Sequence, residues 1–385
     1  MIKSPQFVEY KTLGSGPESQ DKTSERDPWD QWEWQLKKRI TSVDKLSFAW
    51  LTRDQKNLLN QVCQRFPMAI TPYYLSLMNP EDPDDPIMKQ ALPSVYETLS
   101  SETSYSDPLN EDANSPVKGL THRYPDRALF ILTNSCAVYC RHCTRKRIWK
   151  EGNENTLTRA EIKNALDYIL RHDEIRDVLI SGGDPLMIPV PLLEYVLREV
   201  RSIPHVEIIR IGTRAPVVLP QRIDKPLLEV LERFGPIWLN TQFNHPNEIT
   251  EQSGQACELL LRRSIPVNNQ TVLLRGINDR PEIIKELNQK LLRIKVRPYY
   301  LFQCDPVIGT EHFRTSLWKG VEIMEQLRGH TSGLAIPHFV IDLPGGGGKV
   351  PVLPEYIISR SNHQITFRNY EGKQFVHREP RSQGL

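Results

Sequence analysis

Short apolar segments alternate with amphipathic segments over most of the chain after residue 120. Six of the apolar segments are rich in β-branched and aromatic residues, a composition typical of strands. Because apolar residues run through them almost without interruption, we predict strands that are buried on both faces. The six segments are RALFILT, RDVLISGGD, VEIIRIGT, PIWLNTQF, VNNQTVLL and VRPYYLFQ.

The segment TRAEIKNALDYILRH has the clearest helical period. Its apolar residues recur at intervals of three and four, a spacing that places side chains on one face of a helix. Thr158 and Glu161 have the spacing of a capping box, which predicts where the helix begins. The predicted buried stripe consists of Ile162, Ala165, Leu166, Ile169 and Leu170.

Strands that alternate with helices predict a parallel sheet whose strands are joined by helical crossovers. About six such units favour an α/β fold built as a partial (β/α) barrel over a doubly wound open sheet. In such a barrel the chemistry lies at the carboxyl ends of the strands. A cysteine-rich stretch follows RALFILT directly, and SGGD ends the next strand. Both stretches therefore lie where an active site is expected.

We predict four regions along the chain. Residues 1–28 form a polar tail, residues 29–121 a helical N-terminal region with a linker, residues 122–334 the core barrel and residues 335–385 a C-terminal segment. WDQWEWQLKKRI and LTRDQKNLLNQVCQRF have helical periods. NPEDPDDP, by contrast, is rich in turn residues.

Composition narrows the class of protein. The chain of 385 residues is 39% hydrophobic and 25% charged, with a formal net charge of +2, which is not the basic excess of a nucleic-acid binder. No apolar run approaches the ~20 residues that span a bilayer, and the N-terminus does not resemble a secretory signal. Six cysteines in this length do not make a disulfide framework. We therefore expect a cytoplasmic enzyme without a nucleic-acid or membrane partner.

Three cysteines, Cys136, Cys140 and Cys143, lie together in CAVYCRHC. Thiolates are soft ligands that suit iron–sulfur clusters, zinc or copper. A structural zinc site needs four protein ligands, and His142 could supply the fourth only through a strained loop. A [4Fe–4S] cluster on three cysteines instead leaves one iron open to another ligand. The spacing favours the cluster, and a zinc site stays the alternative.

A second unusual stretch, PGGGGK, ends at Lys349. It does not fit a phosphate-binding P-loop, because Leu343 stands at the first glycine position and Val350 follows the lysine. Four consecutive glycines let the backbone approach a bulky planar group closely. A lysine amine can bind an aldehyde cofactor such as pyridoxal phosphate covalently. A flexible turn with a solvated lysine is the alternative interpretation.

CAVYCRHC resembles the CxxxCxxC signature of radical S-adenosylmethionine enzymes. This resemblance implies that the three cysteines hold a [4Fe–4S] cluster and that the open iron binds S-adenosyl-L-methionine. It also implies the partial barrel of that family. Gly182 and Gly183 in SGGDP match the glycine pair that lies against the methionine part of the cofactor.

Together with PGGGGK, the stretches MAITPYYLSL, GLTHRYPDR, PHVEIIRIGTRAPVVLPQRI and RPYYLFQCD resemble the lysine 2,3-aminomutase family. The resemblance extends from about Trp29 onward and implies that Lys349 carries pyridoxal 5′-phosphate. It implies an isomerase that interconverts L-lysine and L-β-lysine. In that reaction an adenosyl radical removes hydrogen from C3, and pyridoxal phosphate assists migration of the amino group from C2.

The resemblance also implies how the substrate is bound. Asp305 and Asp342 match the two aspartates that pair with the substrate ε-ammonium, and Arg145 matches the arginine that holds the substrate carboxylate. Two carboxylates suit an ammonium ion because charge-assisted hydrogen bonds are strong. Four more residues match positions near pyridoxal phosphate: Arg123, Tyr124, Arg127 and Gln270.

The implied partners are free lysine, an electron donor such as flavodoxin or ferredoxin, and further copies of the chain in a homo-oligomer. Arginine or another cationic amino acid stays an alternative substrate, because its side chain also ends in a cation. From another class, a radical enzyme that modifies RNA or protein stays possible, with the basic CRHCTRKR as its contact. A zinc ion is not expected, because no cysteine cluster precedes Leu385 and Arg280 follows GIND, where zinc-binding relatives have cysteine.

Overall fold

A computed structural model describes residues 27–99, 102–149, 154–361 and 363–380. The polar tail predicted for residues 1–28 lies almost entirely outside the described residues. The described part of the chain contains a nine-stranded sheet and a separate three-stranded sheet. No helix in this part is long and apolar enough to cross a membrane.

The larger sheet is a curled half-barrel with sequential strand order from β1 to β9. Strands β2 to β8 are parallel, and the edge pairs β1–β2 and β8–β9 are antiparallel. The strands of this sheet are β1 (Leu120–Tyr124), β2 (Arg127–Ile131), β3 (Asp177–Ser181), β4 (Ile208–Gly212), β5 (Ile237–Thr241), β6 (Val267–Leu273), β7 (Arg297–Gln303), β8 (His338–Leu343) and β9 (Gly348–Pro351). The small C-terminal sheet consists of β10 (Ile357–Ser361), β11 (Gln364–Arg368) and β12 (Gln374–Arg378).

Helices connect the parallel strands, as the alternating pattern predicts. Among the described residues, four α-helices precede the sheet and seven lie between β2 and β8. They are α1 (Trp32–Lys37), α2 (Arg53–Arg65), α3 (Pro72–Ser76), α4 (Pro86–Ala91), α5 (Arg159–Arg171), α6 (Val190–Ser202), α7 (Ala215–Val218), α8 (Lys225–Arg233), α9 (Glu251–Arg262), α10 (Pro281–Arg293) and α11 (Leu317–Leu327). The predicted partial (β/α) barrel is confirmed, and the six predicted strands are β2 to β7.

The prediction that the strands are buried on both faces is wrong for β2, β3 and β4. Burial alternates along these strands, because the convex face packs against helices while the concave face surrounds a cavity. In β5 four of five residues are buried. The half-buried alternate positions point into this cavity and line it. From five strands these positions are Arg127, Leu129, Leu179, Ser181, Arg210, Gly212, Gln270, Val272, Tyr300 and Phe302.

Helix α5 forms where the sequence predicts it. The Thr158 hydroxyl accepts the backbone N–H of Glu161, whose side chain accepts the N–H of Thr158, so the predicted capping box is confirmed. Four of the five predicted stripe residues are buried against the sheet. Leu170 is 54% exposed. It lies near the end of the helix, at the margin of the stripe, where a helical period alone does not separate buried from exposed positions.

The N-terminal region and the linker both contact the end of the barrel at which the parallel strands have their carboxyl ends. We use the name strap for residues 104–114 of the linker, which follow a defined course over the carboxyl ends of the strands. Tyr105 donates a backbone hydrogen bond to Pro306 after β7, and Gly345 in the β8–β9 turn donates one to Pro108. The strap therefore closes part of the cavity mouth.

Candidate active site

A cavity of about 570 Å³ opens at the carboxyl ends of the parallel strands. Its volume is within the range of ligand-binding cavities in proteins. All thirteen residues that the sequence singles out as site residues line it. They are Cys136, Cys140, Cys143, Lys349, Arg123, Tyr124, Arg127, Gln270, Gly182, Gly183, Asp305, Asp342 and Arg145.

The three cysteines lie on a loop that follows β2 and that we call the cysteine loop (residues 134–146). The N-terminal region holds this loop through backbone hydrogen bonds. Tyr139 N–H donates to the Ala69 carbonyl at 3.0 Å, and Arg141 N–H donates to the Gln90 carbonyl at 2.8 Å. The helical region before the barrel is therefore part of the support of the site.

The cysteine thiols form a donor set that fits an iron–sulfur cluster. Burial, with repulsion from Cys143, raises the pKa of Cys136 well above its usual value, and burial, with repulsion from Cys140, raises the pKa of Cys143 to about 11. Thiolates in this position need a positive charge among them, which iron ions supply to soft ligands. Among the described residues, no three His, Cys, Asp or Glu side chains are arranged to hold a single metal ion.

The glycine pair joins the end of β3 to the start of the cysteine loop. A Cβ on Gly182, whose φ is +153°, would lie 2.4 Å from the Thr133 carbonyl oxygen, and one on Gly183 would lie 2.4 Å from that of Ser135. Backbone N–H groups of Gly183 and Asp184 donate to these two oxygens at 2.5 and 2.7 Å. The approach of two backbone segments thus requires glycine here, beyond the ligand contact that the sequence suggests.

Arg214, just after β4, is a buried cavity residue that no sequence pattern singles out. Its Nη1 donates to the sulfur of Cys140 at 2.8 Å. Its Nη2 donates to Glu248 at 2.5 Å and to the side-chain oxygen of Gln90 at 2.8 Å. These three hydrogen bonds fix the guanidinium group against the sulfur of Cys140. The one available signal was its position at the carboxyl end of a strand.

The β8–β9 hairpin places Lys349 opposite Asp342. The two residues are register partners, and Lys349 Nζ donates to Asp342 Oδ1 at 3.1 Å. Gly345, Gly346 and Gly348 have φ values of 71°, 86° and 83°, which other residues rarely adopt. The glycine run therefore makes the tight turn that returns the chain to Asp342. Lys349 lies in strand β9 and lines the cavity, where it is ion-paired with Asp342, and its side chain is 35% exposed.

Cationic and aromatic groups surround Lys349. Its backbone N–H donates to the Tyr124 hydroxyl at 3.0 Å, and Arg123 Nη2 donates to the same oxygen at 3.3 Å. The guanidinium of Arg127 lies 4.1 Å from the centre of the Tyr124 ring. Gln270 lines the cavity from β6. A lysine amine near two guanidinium groups fits an aldehyde cofactor that carries a phosphate, such as pyridoxal phosphate.

Asp305 follows β7 and faces the same cavity. Its Oδ2 accepts a hydrogen bond from the Thr144 hydroxyl at 2.7 Å. Burial raises the pKa of Asp305 to about 6; the Thr144 hydrogen bond opposes this rise and the charge of Asp342 adds to it. A cation that enters between the two aspartates would lower this pKa and restore full charge.

Arg145 forms an ion pair with Glu111 of the strap. Arg145 Nε donates to both carboxylate oxygens at 3.1 and 3.0 Å, and Nη2 donates to Oε1 at 2.7 Å. Arg147 Nη2 donates to Oε2 at 3.1 Å. Burial would raise the pKa of Glu111, but the charges of the two arginines outweigh it and hold that pKa at about 2. Glu111 lies in a stretch whose composition predicts a linker, so the sequence did not reveal it.

Two protein-family models match this chain. Residues 130–287 match the model of the radical SAM superfamily, and residues 324–383 match a model described as lysine-2,3-aminomutase. The chain is 51% identical over 353 residues to the L-lysine 2,3-aminomutase of Clostridium subterminale, which covers 91% of this chain and 85% of that protein.

Two further relatives extend the comparison. The L-lysine 2,3-aminomutase of Acetoanaerobium sticklandii is 50% identical over 356 residues, covering 92% of this chain and 86% of that protein. The glutamate 2,3-aminomutase of Clostridioides difficile is 43% identical over 376 residues, covering 94% and 89%. The resemblance predicted from the motifs is thereby confirmed: the chain belongs to the lysine 2,3-aminomutase family of radical S-adenosylmethionine enzymes.

Proposed function

We propose that this chain is an isomerase, a lysine 2,3-aminomutase that interconverts L-lysine and L-β-lysine. One observation carries the proposal: the cysteines that follow β2 and Lys349 in β9, far apart in the sequence, face one cavity. An amino-group migration that starts with hydrogen removal needs both groups within reach of one bound substrate. Relatives named L-lysine 2,3-aminomutase, with about half of their residues identical, support the same reaction.

The chain supplies the residues that would hold three cofactors. The cysteine triad would hold a [4Fe–4S] cluster, the adjoining glycine pair would lie against S-adenosyl-L-methionine, and Lys349 would hold pyridoxal 5′-phosphate. When bound, the cluster and S-adenosyl-L-methionine supply a carbon radical that removes hydrogen from C3, and pyridoxal phosphate stabilises the migrating amino group. Arg123 and Arg127 supply positive charge for the phosphate, with Tyr124 and Gln270 beside them.

The substrate would be held at both ends. We assign its carboxylate to Arg145, whose guanidinium can form paired hydrogen bonds with a carboxylate. We assign its ε-ammonium to Asp305 and Asp342. Support comes from Lys349, because its own ammonium group lies 3.1 Å from Asp342 and shows that this carboxylate accepts an alkylammonium. The cavity walls and the strap limit access of water to the reacting groups.

A substrate panel tests the proposal. Anaerobic enzyme, reconstituted with iron, sulfide, pyridoxal phosphate and S-adenosyl-L-methionine and reduced, is incubated separately with lysine, arginine and glutamate. We expect β-lysine as the dominant product. We expect Asp305→Asn and Asp342→Asn each to lower kcat/KM for lysine by on the order of tenfold or more, because each removes a charge-assisted hydrogen bond. Asp167→Asn, in an exposed ion pair on α5, serves as the matched control. Unchanged lysine kinetics in both cavity variants would refute the substrate assignment.

The same panel distinguishes lysine from two other candidate substrates, arginine and glutamate. Arginine carries a cationic end and shares the attraction to Asp305 and Asp342. Its guanidinium is larger and flatter than an ammonium group, so efficient turnover of arginine would move the assignment to that substrate. One relative is named for glutamate. The side chain of glutamate would place a third carboxylate beside Asp305 and Asp342, and like charges that lie close together repel. We therefore expect no turnover of glutamate.

The remaining partner assignments are also proposals. We infer that a small redox protein such as flavodoxin or ferredoxin reduces the cluster, and that the chain forms a homo-oligomer in the cytoplasm. The exposed apolar side chains of the C-terminal sheet, among them Ile358, Phe375 and Val376, support an association between copies. Light scattering on the purified chain measures the oligomeric state directly, and a monomer at micromolar concentration would contradict this part of the proposal.

A further inference from the structure

The geometry points to Glu111 as a positioning residue for Arg145. Glu111 would act on the substrate through Arg145, by turning one edge of its guanidinium group toward the substrate carboxylate. This inference rests on the proposed function, because the proposed function is what assigns the carboxylate to Arg145. It adds a specificity determinant from the strap, which lies outside the barrel.

Glu111 occupies one edge of the planar guanidinium group of Arg145. Glu111 receives hydrogen bonds from Nε and Nη2 of Arg145, at 2.7 to 3.1 Å, and so takes the side edge of the group. Nη1 has no acceptor within hydrogen-bonding distance among the described residues. The end edge of the planar fork is thus left for a second carboxylate, in the paired geometry that arginine favours.

Glu111 is itself held in place by neighbouring side chains. Its side chain is 5% exposed, and Arg147 donates to the oxygen that faces away from Arg145 Nη2. Arg147 is in turn 3.4 Å from Asp107 of the strap. A carboxylate fixed from two sides restricts rotation of the arginine that it contacts. This is how hydrogen-bonded neighbours orient ligand-binding side chains in other sites.

The edge of Arg145 that Glu111 contacts distinguishes a positioning carboxylate from one that competes with the substrate. A carboxylate that competes with the substrate would have to take the same edge of Arg145 as the substrate. Glu111 takes the other edge and leaves Nη1 unpaired within the described part of the chain. Removal of the Glu111 charge should therefore weaken carboxylate recognition through loss of orientation. A competing carboxylate predicts the opposite result.

The experiment compares lysine with lysinamide, which lacks the carboxylate. Each is titrated into enzyme loaded with pyridoxal phosphate, and binding is measured from the change in the absorbance of that cofactor. The readout is the ratio of the two dissociation constants, which cancels a general loss of folded or loaded protein. Wild type is compared with Glu111→Gln and with Asp112→Asn. Asp112 is the matched control, because it is the next carboxylate on the strap, is 79% exposed and contacts Arg147 but not Arg145.

We expect wild type and Asp112→Asn to prefer lysine by the same factor. We expect this preference to fall on the order of tenfold in Glu111→Gln, the loss of about one charge-assisted hydrogen bond. An unchanged or increased preference in Glu111→Gln overturns the positioning role while lysine binding itself still stands. Equal losses in Asp112→Asn overturn it as well, because the effect would then be one of net charge. A wild type without preference for lysine overturns both this role and the proposed assignment of Arg145.

A second variant covers the case in which Glu111→Gln does not fold. Glu111→Asp keeps the charge that Arg147 requires but shortens the reach toward Arg145 by one methylene group. We expect an intermediate fall in the lysine preference for this variant. A wild-type preference in Glu111→Asp, with normal pyridoxal phosphate absorbance, would contradict the inference.

Discussion

The burial of Asp305 affects the pH range in which the cavity can bind a cation. Burial raises the pKa of its carboxyl group to about 6, well above the value of 3.8 for an unperturbed aspartate. Near neutral pH the chain therefore holds a carboxylate that its surroundings disfavour. A substrate ammonium ion would offset this cost, so part of the binding free energy would come from the unfavourable burial of the Asp305 carboxylate.

Asp305→Asn should therefore stabilise the protein in a pH-dependent way. Because the pKa is higher in the folded than in the unfolded chain, the free energy of unfolding falls as pH rises from about 4 to about 6. Asparagine removes this fall and can still accept the Thr144 hydrogen bond. We expect a gain of on the order of 2 kcal/mol at pH 7 and none near pH 4, measured by urea denaturation. A gain that is the same at both pH values would contradict the explanation.

The same carboxyl group predicts how lysine binding depends on pH. Protonation of Asp305 removes one of the two charges assigned to the substrate ammonium, so the KM for lysine should rise as pH falls below about 6 in wild type. The ammonium group of lysine itself stays charged over this range. Asp305→Asn should have a higher KM that no longer changes across the same interval. A parallel rise in wild type and variant would place the titration on another group.

At the scale of elements, the cysteine loop rests on a buried group of three charges. Glu97, at the end of the N-terminal helical region, accepts hydrogen bonds from Arg141 and Lys146 of the cysteine loop, both at 2.6 Å. The side chains of Glu97 and Arg141 are fully buried, and that of Lys146 is 1% exposed. One carboxylate thus fixes two cations on the loop that carries the cysteines.

Glu97→Gln should destabilise the chain strongly, because it leaves two buried cations without their counter-ion. Loss of one partner of a buried ion pair costs about 3 to 5 kcal/mol. We expect a fall of this size in the free energy of unfolding. Glu258→Gln breaks an exposed ion pair with Arg262 on α9 and should change stability little. Similar small changes in both variants would show that the buried group is not needed.

Gly183→Ala tests the contact between β3 and the cysteine loop. The new Cβ would lie 2.4 Å from the Ser135 carbonyl oxygen, so the start of the loop must move. We expect a folded protein that takes up much less iron and sulfide on anaerobic reconstitution. Gly254→Ala on α9 is the control, because its Cβ would meet the nearest side chain at an ordinary 3.4 Å. Full iron content in Gly183→Ala would contradict this account of the loop.

Elements with a strong local period could be predicted from the sequence, and elements that depend on distant contacts could not. The strands β2 to β7 and the capping box of α5 follow from apolar runs and from local hydrogen bonding. The strap has no period, and its course depends on contacts such as the hydrogen bond from Gly345 to Pro108. Its composition therefore predicts only a linker.

For the whole molecule, the site residues that could be predicted belong to local sequence motifs. Those that were missed depend on contacts between distant parts of the chain. Motifs with fixed spacing singled out the cysteines and Lys349. Because active sites of (β/α) barrels lie at the carboxyl ends of the strands, the cysteines were expected at that end of the sheet. Glu111 contacts Arg145 and Arg214 contacts Cys140 through side chains that come together only in three dimensions. A lone charged residue in a loop or after a strand has no spacing that distinguishes it. Such residues need the fold before their partners can be named.

The half-barrel gives these groups a common cavity, in which we propose that a radical 2,3-amino migration on lysine takes place. The most direct measurement is chromatography of the products after anaerobic, reduced and fully loaded enzyme is incubated with L-lysine labelled with deuterium at C3. We predict β-lysine, and deuterium in the recovered S-adenosyl-L-methionine when the separated products are analysed by mass spectrometry, and we predict neither in Lys349→Ala. Enzyme with a full complement of iron, sulfide and pyridoxal phosphate that forms no β-lysine would contradict this proposal.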